Sequence, residues 1–166
     1  MIPVTATTTI EDLDDFLAEI EAIGEATGAT VQCFDSGYVA GDRHLRRAVE
    51  LAGRARKQGT AVARKPAVEI LLYAAGRRQI NQALEMGVSE GEGDVVAVVT
   101  DGDEPAAERR VRELLGVTDA GDTGVSLGDA DTIKTFFDID DREVAVVDGD
   151  LEDIVIERVA LLDVET

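Results

Sequence analysis

Apolar positions recur along the chain with two periods, two and about 3.6, and the changes of period divide it into alternating strands and helices. Ile2 to Ala6 alternates and predicts a short first strand. Thr9 predicts an N-cap, with Asp12 at N3 and an acid-rich first turn. Ile10, Leu13, Phe16, Leu17, Ile20 and Ile23 then follow at helical spacing until Gly28. Thr30 to Asp35 (TVQCFD) predicts a strand closed by Ser36-Gly37. The most legible helix runs from Asp42 to Gln58, with Leu45, Ala48, Val49, Ala52 and Ala55 on one stripe and Arg43, Arg46, Arg47, Arg54 and Lys57 opposite. Val68 to Tyr73 (VEILLY) predicts a buried strand, although so short an apolar run also fits a helix. Ala74 to Gly76 makes a turn, and a helix follows from Arg78 to Met86. Asp94 to Thr100 (DVVAVVT) predicts a central strand, and Pro105 opens a helix to Leu115. Ala120 to Gly128 predicts a solvated loop, Ala130 to Phe137 a helix and Glu143 to Val147 a strand. Asp150 caps a last helix reaching about Leu162. The alternation predicts an α/β fold: a single domain over 1–166, with a mixed β-sheet flanked by helices.

Composition narrows the class. With 166 residues, 45% of them hydrophobic, the chain can hold a real core. No apolar run approaches the roughly 20 residues of a membrane span, and MIPVTATTTI has no signal-peptide pattern, so a cytoplasmic protein without a membrane partner is expected. Cys33 is the single cysteine, which excludes an internal disulfide. The net charge is −19, and 13 Arg stand beside only 3 Lys. Such self-repulsion weakens a compact fold in dilute salt, whereas in molar salt the Debye length falls to about 3 Å. A salt-rich cytoplasm is the expectation. Against this background Arg43 to Arg78 carries ten basic residues and two acids. A positive island on an acidic chain predicts an anionic partner.

The candidate chemistry concentrates in that island. In Gly76-Arg77-Arg78-Gln79-Ile80 two arginines precede a predicted helix, opposing its dipole; a local rule broken in this way points to a binding site for phosphate or base edges. His44, the only histidine, lies beside the basic ridge, and Cys33, Asp35 and His44 can be imagined as a nucleophilic triad that no spacing requires. Asp101-Gly-Asp103, Asp129-Ala-Asp131 and Asp148-Gly-Asp150 do not complete a calcium loop, and no phosphate loop, dinucleotide fingerprint or His–Cys metal pattern occurs. No cofactor and no metal are expected, and these motifs give no support to an enzyme with a cofactor of its own. In the last helix Leu151, Ile154, Val155, Ile156, Val159, Ala160, Leu161 and Leu162 surround nearly the whole circumference, which predicts a buried helix or one that meets a partner.

The segments Val39-Ala40-Gly41, His44-Leu45 and, above all, EILLYAAGRRQI (69–80) resemble the small accessory subunit of the KEOPS complex, the TPRKB family, in an archaeal, salt-adapted form; Glu157 to Leu162 is similar to the family's closing helix. The resemblance implies a non-catalytic subunit that binds the kinase-like ATPase of KEOPS and the single-stranded 3′ CCA end of tRNA, supporting threonylcarbamoyladenosine formation by another subunit. It places Tyr73, Gly76, Arg77, Arg78, Gln79 and Ile80 at the tRNA tail, with His44, Arg43 and Lys65 beside them. Ile154, Val155, Arg158 and Leu162 are then the candidates for the kinase contact, and no DNA is involved. Two alternatives stand beside this reading: a structural regulator of the kinase that never touches RNA, and a small acyl-transfer enzyme using Cys33 and His44.

Overall fold

A computed structural model describes residues 1–117, 125–146 and 150–165. The chain forms two compact units, Met1–Ser36 with Gly87–Ser126 and Gly37–Met86 with Leu127–Thr166.

The first unit holds β1 (Ile2–Ile10), α1 (Leu13–Thr27), β2 (Thr30–Asp35), β3 (Gly91–Thr100) and α5 (Glu104–Leu115). The sheet order is β1-β3-β2, and β3 runs antiparallel to both neighbours, from Ile2↔Val99 to Ile10↔Gly91 on one side and from Thr30↔Thr100 to Asp35↔Val95 on the other. β1-α1-β2 is thus a split crossover whose gap the later strand fills. Alternate residues Val4, Ala6, Ile10, Val31, Cys33, Val95, Ala97 and Val99 form one face, packed with Phe16, Ile20 and Ile23 of α1 and Ala107, Val111 and Leu115 of α5. The expected mixed sheet is therefore antiparallel throughout the described residues. The first strand also runs on through Thr9, because the β-branched run Thr7-Thr8-Thr9-Ile10 continues the ladder and buries Ile10. The N-cap moves to Asp12, whose carboxylate accepts from the Asp15 N–H at 3.0 Å.

The second unit is helical: α2 (Asp42–Gln58), α3 (Pro66–Ala75), α4 (Ile80–Ala83) tightening into a 3₁₀ turn (Leu84–Met86), α6 (Ala130–Phe137), α7 (Asp141–Val146) and α8 (Leu151–Glu165). α2 buries Leu45, Ala48, Leu51, Ala52 and Ala55 and packs on α3 and α8. Two expected strands are helices. The segment expected as strand Val68–Tyr73 lies in α3, which has Pro66 in its first turn and left-handed Gly76 (φ 62°) after its end, and is buried at every residue from Glu69 to Ala75. Burial on all sides erases the helical period, so the run reads like a central strand. Glu143–Val147 is likewise helical as far as it is described, because Asp140 caps α7, accepting from the Glu143 N–H at 2.8 Å. The helix expected from Arg78 starts at Ile80, so EILLYAAGRRQI is helix–turn–helix.

Most of the expected loop 120–128 lies outside the described residues, as do Val147 and Asp148. The remaining acidic clusters sit at helix starts. Asp103 accepts from the Ala106 N–H at 3.2 Å, Asp129 before α6 accepts from the Thr132 hydroxyl, and Asp150 and Asp153 exchange N–H bonds at the start of α8 as a capping box.

One close approach organises the loops of the first unit. Gly102 (φ 57°) lies against the turn after α1, and a Cβ there would fall 2.3 Å from the Gly28 carbonyl carbon and 2.5 Å from the Ala29 nitrogen. Gly59 shares the left-handed conformation (φ 73°) with nothing within 4 Å. Gly102→Ala is therefore expected to cost well over 2 kcal/mol, the conformational penalty plus a backbone clash, whereas Gly59→Ala costs about 1 kcal/mol, as read from denaturant unfolding curves.

Candidate nucleic-acid and partner interface

Helix α3 supplies the scaffold. Because it is buried, each of its last four carbonyls needs a donor. Leu72 and Tyr73 receive the N–H groups of Arg77 and Gly76, both at 3.0 Å, in a Schellman turn. Ala74 receives the His44 Nε2–H at 2.7 Å, and Ala75 the Arg77 guanidinium at 3.4 Å. His44 Nδ1 accepts from the Ala40 N–H at 3.0 Å, which fixes a neutral tautomer, and its ring stacks edge-on against Phe137. Arg77 reaches on to the Phe136 carbonyl at 2.6 Å and lies 4.9 Å over that ring. At the other end of α3 the buried Glu69 carboxylate accepts from the N–H groups of Val62, at 3.0 Å, and Ala63, at 3.1 Å. It holds the loop carrying Arg64 and Lys65. Glu69 is a structural determinant that the sequence reading missed; its signal was a lone acid inside an apolar run.

This accounting redistributes the expected site. His44 is fully buried with both ring nitrogens engaged, so it anchors helices and does not face a ligand. Arg77 caps α3 and α6. Arg43 lies among three carboxylates, Asp153 at 2.8 Å, Glu152 at 2.9 Å and Asp150 at 3.4 Å. The hydrogen bond from Arg43 pulls the Asp153 carboxyl below its ordinary range, with the Asp150 N–H adding to it. Arg46 pairs with Asp42, and Arg47 and Arg54 share Glu50. The N-terminal half of the basic ridge is therefore neutralised. Among the described residues, Arg56, Lys57, Arg64 and Arg78 are exposed and make no such pair.

Arg78 borders a shallow dimple, open to solvent and lined also by Val62, Leu72, Tyr73 and Leu162. Tyr73 shows only an edge, at 2% exposure. Gln79 and Ile80 are exposed beside Arg78, and Gly76 forms the turn. The structure thus brings Tyr73, Arg77 and Arg78 together with Leu162, a residue expected at the kinase. Ile154 and Val155 are completely buried and present no surface to a partner, which corrects that expectation: α8 turns them into the core of its own unit. Arg158 pairs with Glu143 at 2.8 Å. Among the described side chains of α8, Leu161 is 50% exposed and Leu151, Ile156 and Ala160 are half-buried.

Cys33 is buried, which pushes its thiol up to about 12, and the two nitrogens of His44 are already committed, so the acyl-transfer pairing lacks both a thiolate and a free base. Among the described residues no helix is long and apolar enough to cross a membrane.

The sequence matches the family model for kinase binding protein CGI-121 over residues 9–163. No curated protein matches it.

Burial lowers the His44 pKa to about 4, against a smaller opposing pull from the Ala74 carbonyl. The folded protein thus keeps His44 neutral where the unfolded chain protonates it near pH 6.5. Stability from this group is complete above pH 6.5 and declines as pH falls towards 4, by about 3 kcal/mol. His44→Gln is expected to lower stability at pH 7 and to remove this part of the acid dependence, measured as the difference in unfolding free energy between the two proteins from pH 7 to pH 4.

Proposed function

The chain belongs to the CGI-121 family of kinase-binding proteins, and on that premise we propose that it serves as a non-catalytic subunit of a KEOPS complex, holding the tRNA 3′ CCA end while bound to the kinase-like ATPase. One observation carries the RNA half of this reading: unpaired Arg78, with exposed Gln79 and Ile80, stands at the rim of an open dimple floored by Leu72, Tyr73 and Leu162. An unstacked base needs an apolar surface and a donor for its edge or phosphate; exposed Val62 and Ile80 offer the first and Arg78 the second. Arg78 binds phosphate or a base edge, Gln79 bonds a base, and Arg64 and Lys65 lie on the neighbouring Glu69-held loop. Arg77, Arg43 and His44 shape the site without touching the nucleotides.

The kinase half rests on the family and on α8. With Ile154 and Val155 turned inward, the contact falls on Leu161, Ile156 and the Arg158 region. The strong acidity fits a salt-rich archaeal cytoplasm, where counterion release contributes little and nucleotide affinity leans on stacking and directed hydrogen bonds. A kinase regulator that binds no RNA is the second reading, favoured by the internal use of Arg43, His44 and Arg77.

The two readings separate in a binding assay with full-length tRNA and tRNA lacking its CCA end, run in about 2 M KCl to screen diffuse attraction. Tail recognition predicts that removing CCA weakens binding and that Arg78→Ala does so by about tenfold, the worth of one charge-assisted hydrogen bond, with an unchanged melting temperature. Arg77→Ala is expected to lower the melting temperature instead. Absence of binding to either tRNA supports the RNA-free regulator, equal binding of both counts against tail recognition, and co-purification of the ATPase with a Leu161→Asp variant tests the α8 contact separately.

A further inference from the structure

The two ladders of the sheet differ in length. β1 accompanies β3 along its whole extent to Gly91, whereas β2 ends opposite Val95. On the β2 side Gly91, Glu92, Gly93 and Asp94 therefore continue the strand with no paired strand among the described residues, and all four are exposed. A free strand edge is a template for another strand. A groove of about 100 Å³ runs along this stretch, bounded by Thr8, Ile10, Asp35, Val88 and Glu90.

The pleat sorts what such a strand would meet. Val95 faces the helix-covered core, so Gly91 and Gly93 share its side, and Glu92 and Asp94 face the other. A Cβ on Gly91 or Gly93 would meet no atom within 4 Å, which leaves that side open above Ile10 and Val88. The other side is anionic, and Asp35 stands at the mouth. No lysine or arginine occurs in residues 1–42 or 79–108, so the lysines that commonly blunt exposed edges are missing here.

The geometry points to a docking slot for an extended cationic peptide segment of a protein partner, which pairs with the backbone of Gly91–Asp94 as a short added strand. Its side chains alternate: apolar groups lie over the two glycines towards Ile10 and Val88, and Lys or Arg groups meet Glu92 and Asp94. Backbone pairing supplies attachment, and the acidic face with the glycine-cleared side selects the alternating pattern. This slot belongs to the first unit and is independent of the RNA reading.

The test is an NMR titration of the whole chain with a capped Arg-Val hexapeptide repeat and with the same peptide N-methylated at alternate amides, in both phases. The repeat is expected to give saturable shifts confined to residues 88–95 and 8–10, with a Kd below about 1 mM. N-methylation of the paired phase abolishes them. Gly93→Val, which has open space for its side chain and favours a strand, fills the slot and weakens binding by about tenfold while retaining the fold. Glu92→Gln weakens it by about threefold, the scale of one cross-strand pair. Equal binding of all the peptides, which marks diffuse attraction to an acidic surface, overturns the proposal. So do the absence of saturable shifts and a concentration-dependent dimer joined through the same residues.

Discussion

A helix buried on every side has to hand its polar ends to other parts of the chain, and much of the second unit follows from that requirement at α3. A buried backbone group left without a partner costs about 1–3 kcal/mol, so four orphan carbonyls would rival the whole stability of a domain. The Schellman turn at Gly76 satisfies two, His44 from α2 the third and Arg77 the fourth. Because Arg77 also reaches Phe136, the same side chain ties α3 to α6. At the opposite end Glu69 turns the requirement round: a carboxylate within the buried helix takes up the N–H groups of the preceding loop. The surface beside Arg78 keeps its shape because both ends of the helix beneath it are tied.

That requirement also explains why charge alone is a poor guide to a binding residue here. In a chain of net charge −19, each arginine meets many carboxylates, and those near helix starts find them first. Arg43 meets the acids that open α8, and Arg46 pairs one turn back along α2. Arg56 and Lys57 lie in the last turn of α2, where the negative end of the helix dipole gives a cation a structural use of its own. Arg64 and Arg78 have neither a carboxylate nor a helix C-terminus of their own, and of the two it is Arg78 that borders the dimple.

The legibility of the sequence follows from burial asymmetry. α2 was readable because one face is covered and the other wet, and β3 because its apolar run is flanked by glycines and acids. α5 and α6 were placed within a residue by Pro105 and by the acid before Ala130. α3 was misread because uniform burial removes the period, and α7 because a valine-rich hexapeptide carries strand propensity that the Asp140 cap overrides. At the candidate site, Arg78, Gln79 and Ile80 stood out locally and are exposed. What the sequence could not reveal was that neighbouring Arg77 points back into the fold, since its partner carbonyl lies 59 residues away at Phe136.

Salt decides which parts of this surface can carry affinity. When the Debye length shrinks to about 3 Å, a guanidinium acts only on what it touches, and the unpaired cations at 56, 57 and 64 lose their reach together. Apolar contact does not weaken in this way, and excluded salts strengthen it. Val62 is 57% exposed and Ile80 49% exposed, a costly arrangement for isolated apolar groups in strong salt. Both lie beside Arg78, Val62 across the dimple and Ile80 two residues along the chain. Under the proposed function, a nucleotide covering them would remove that exposure and bring its phosphate or base edge into contact range of Arg78, so that the apolar and the directed terms would add where the diffuse one has vanished. On the proposed tail-binding reading the apolar rim, more than the count of positive charges, would set how tightly a nucleotide is held in strong salt.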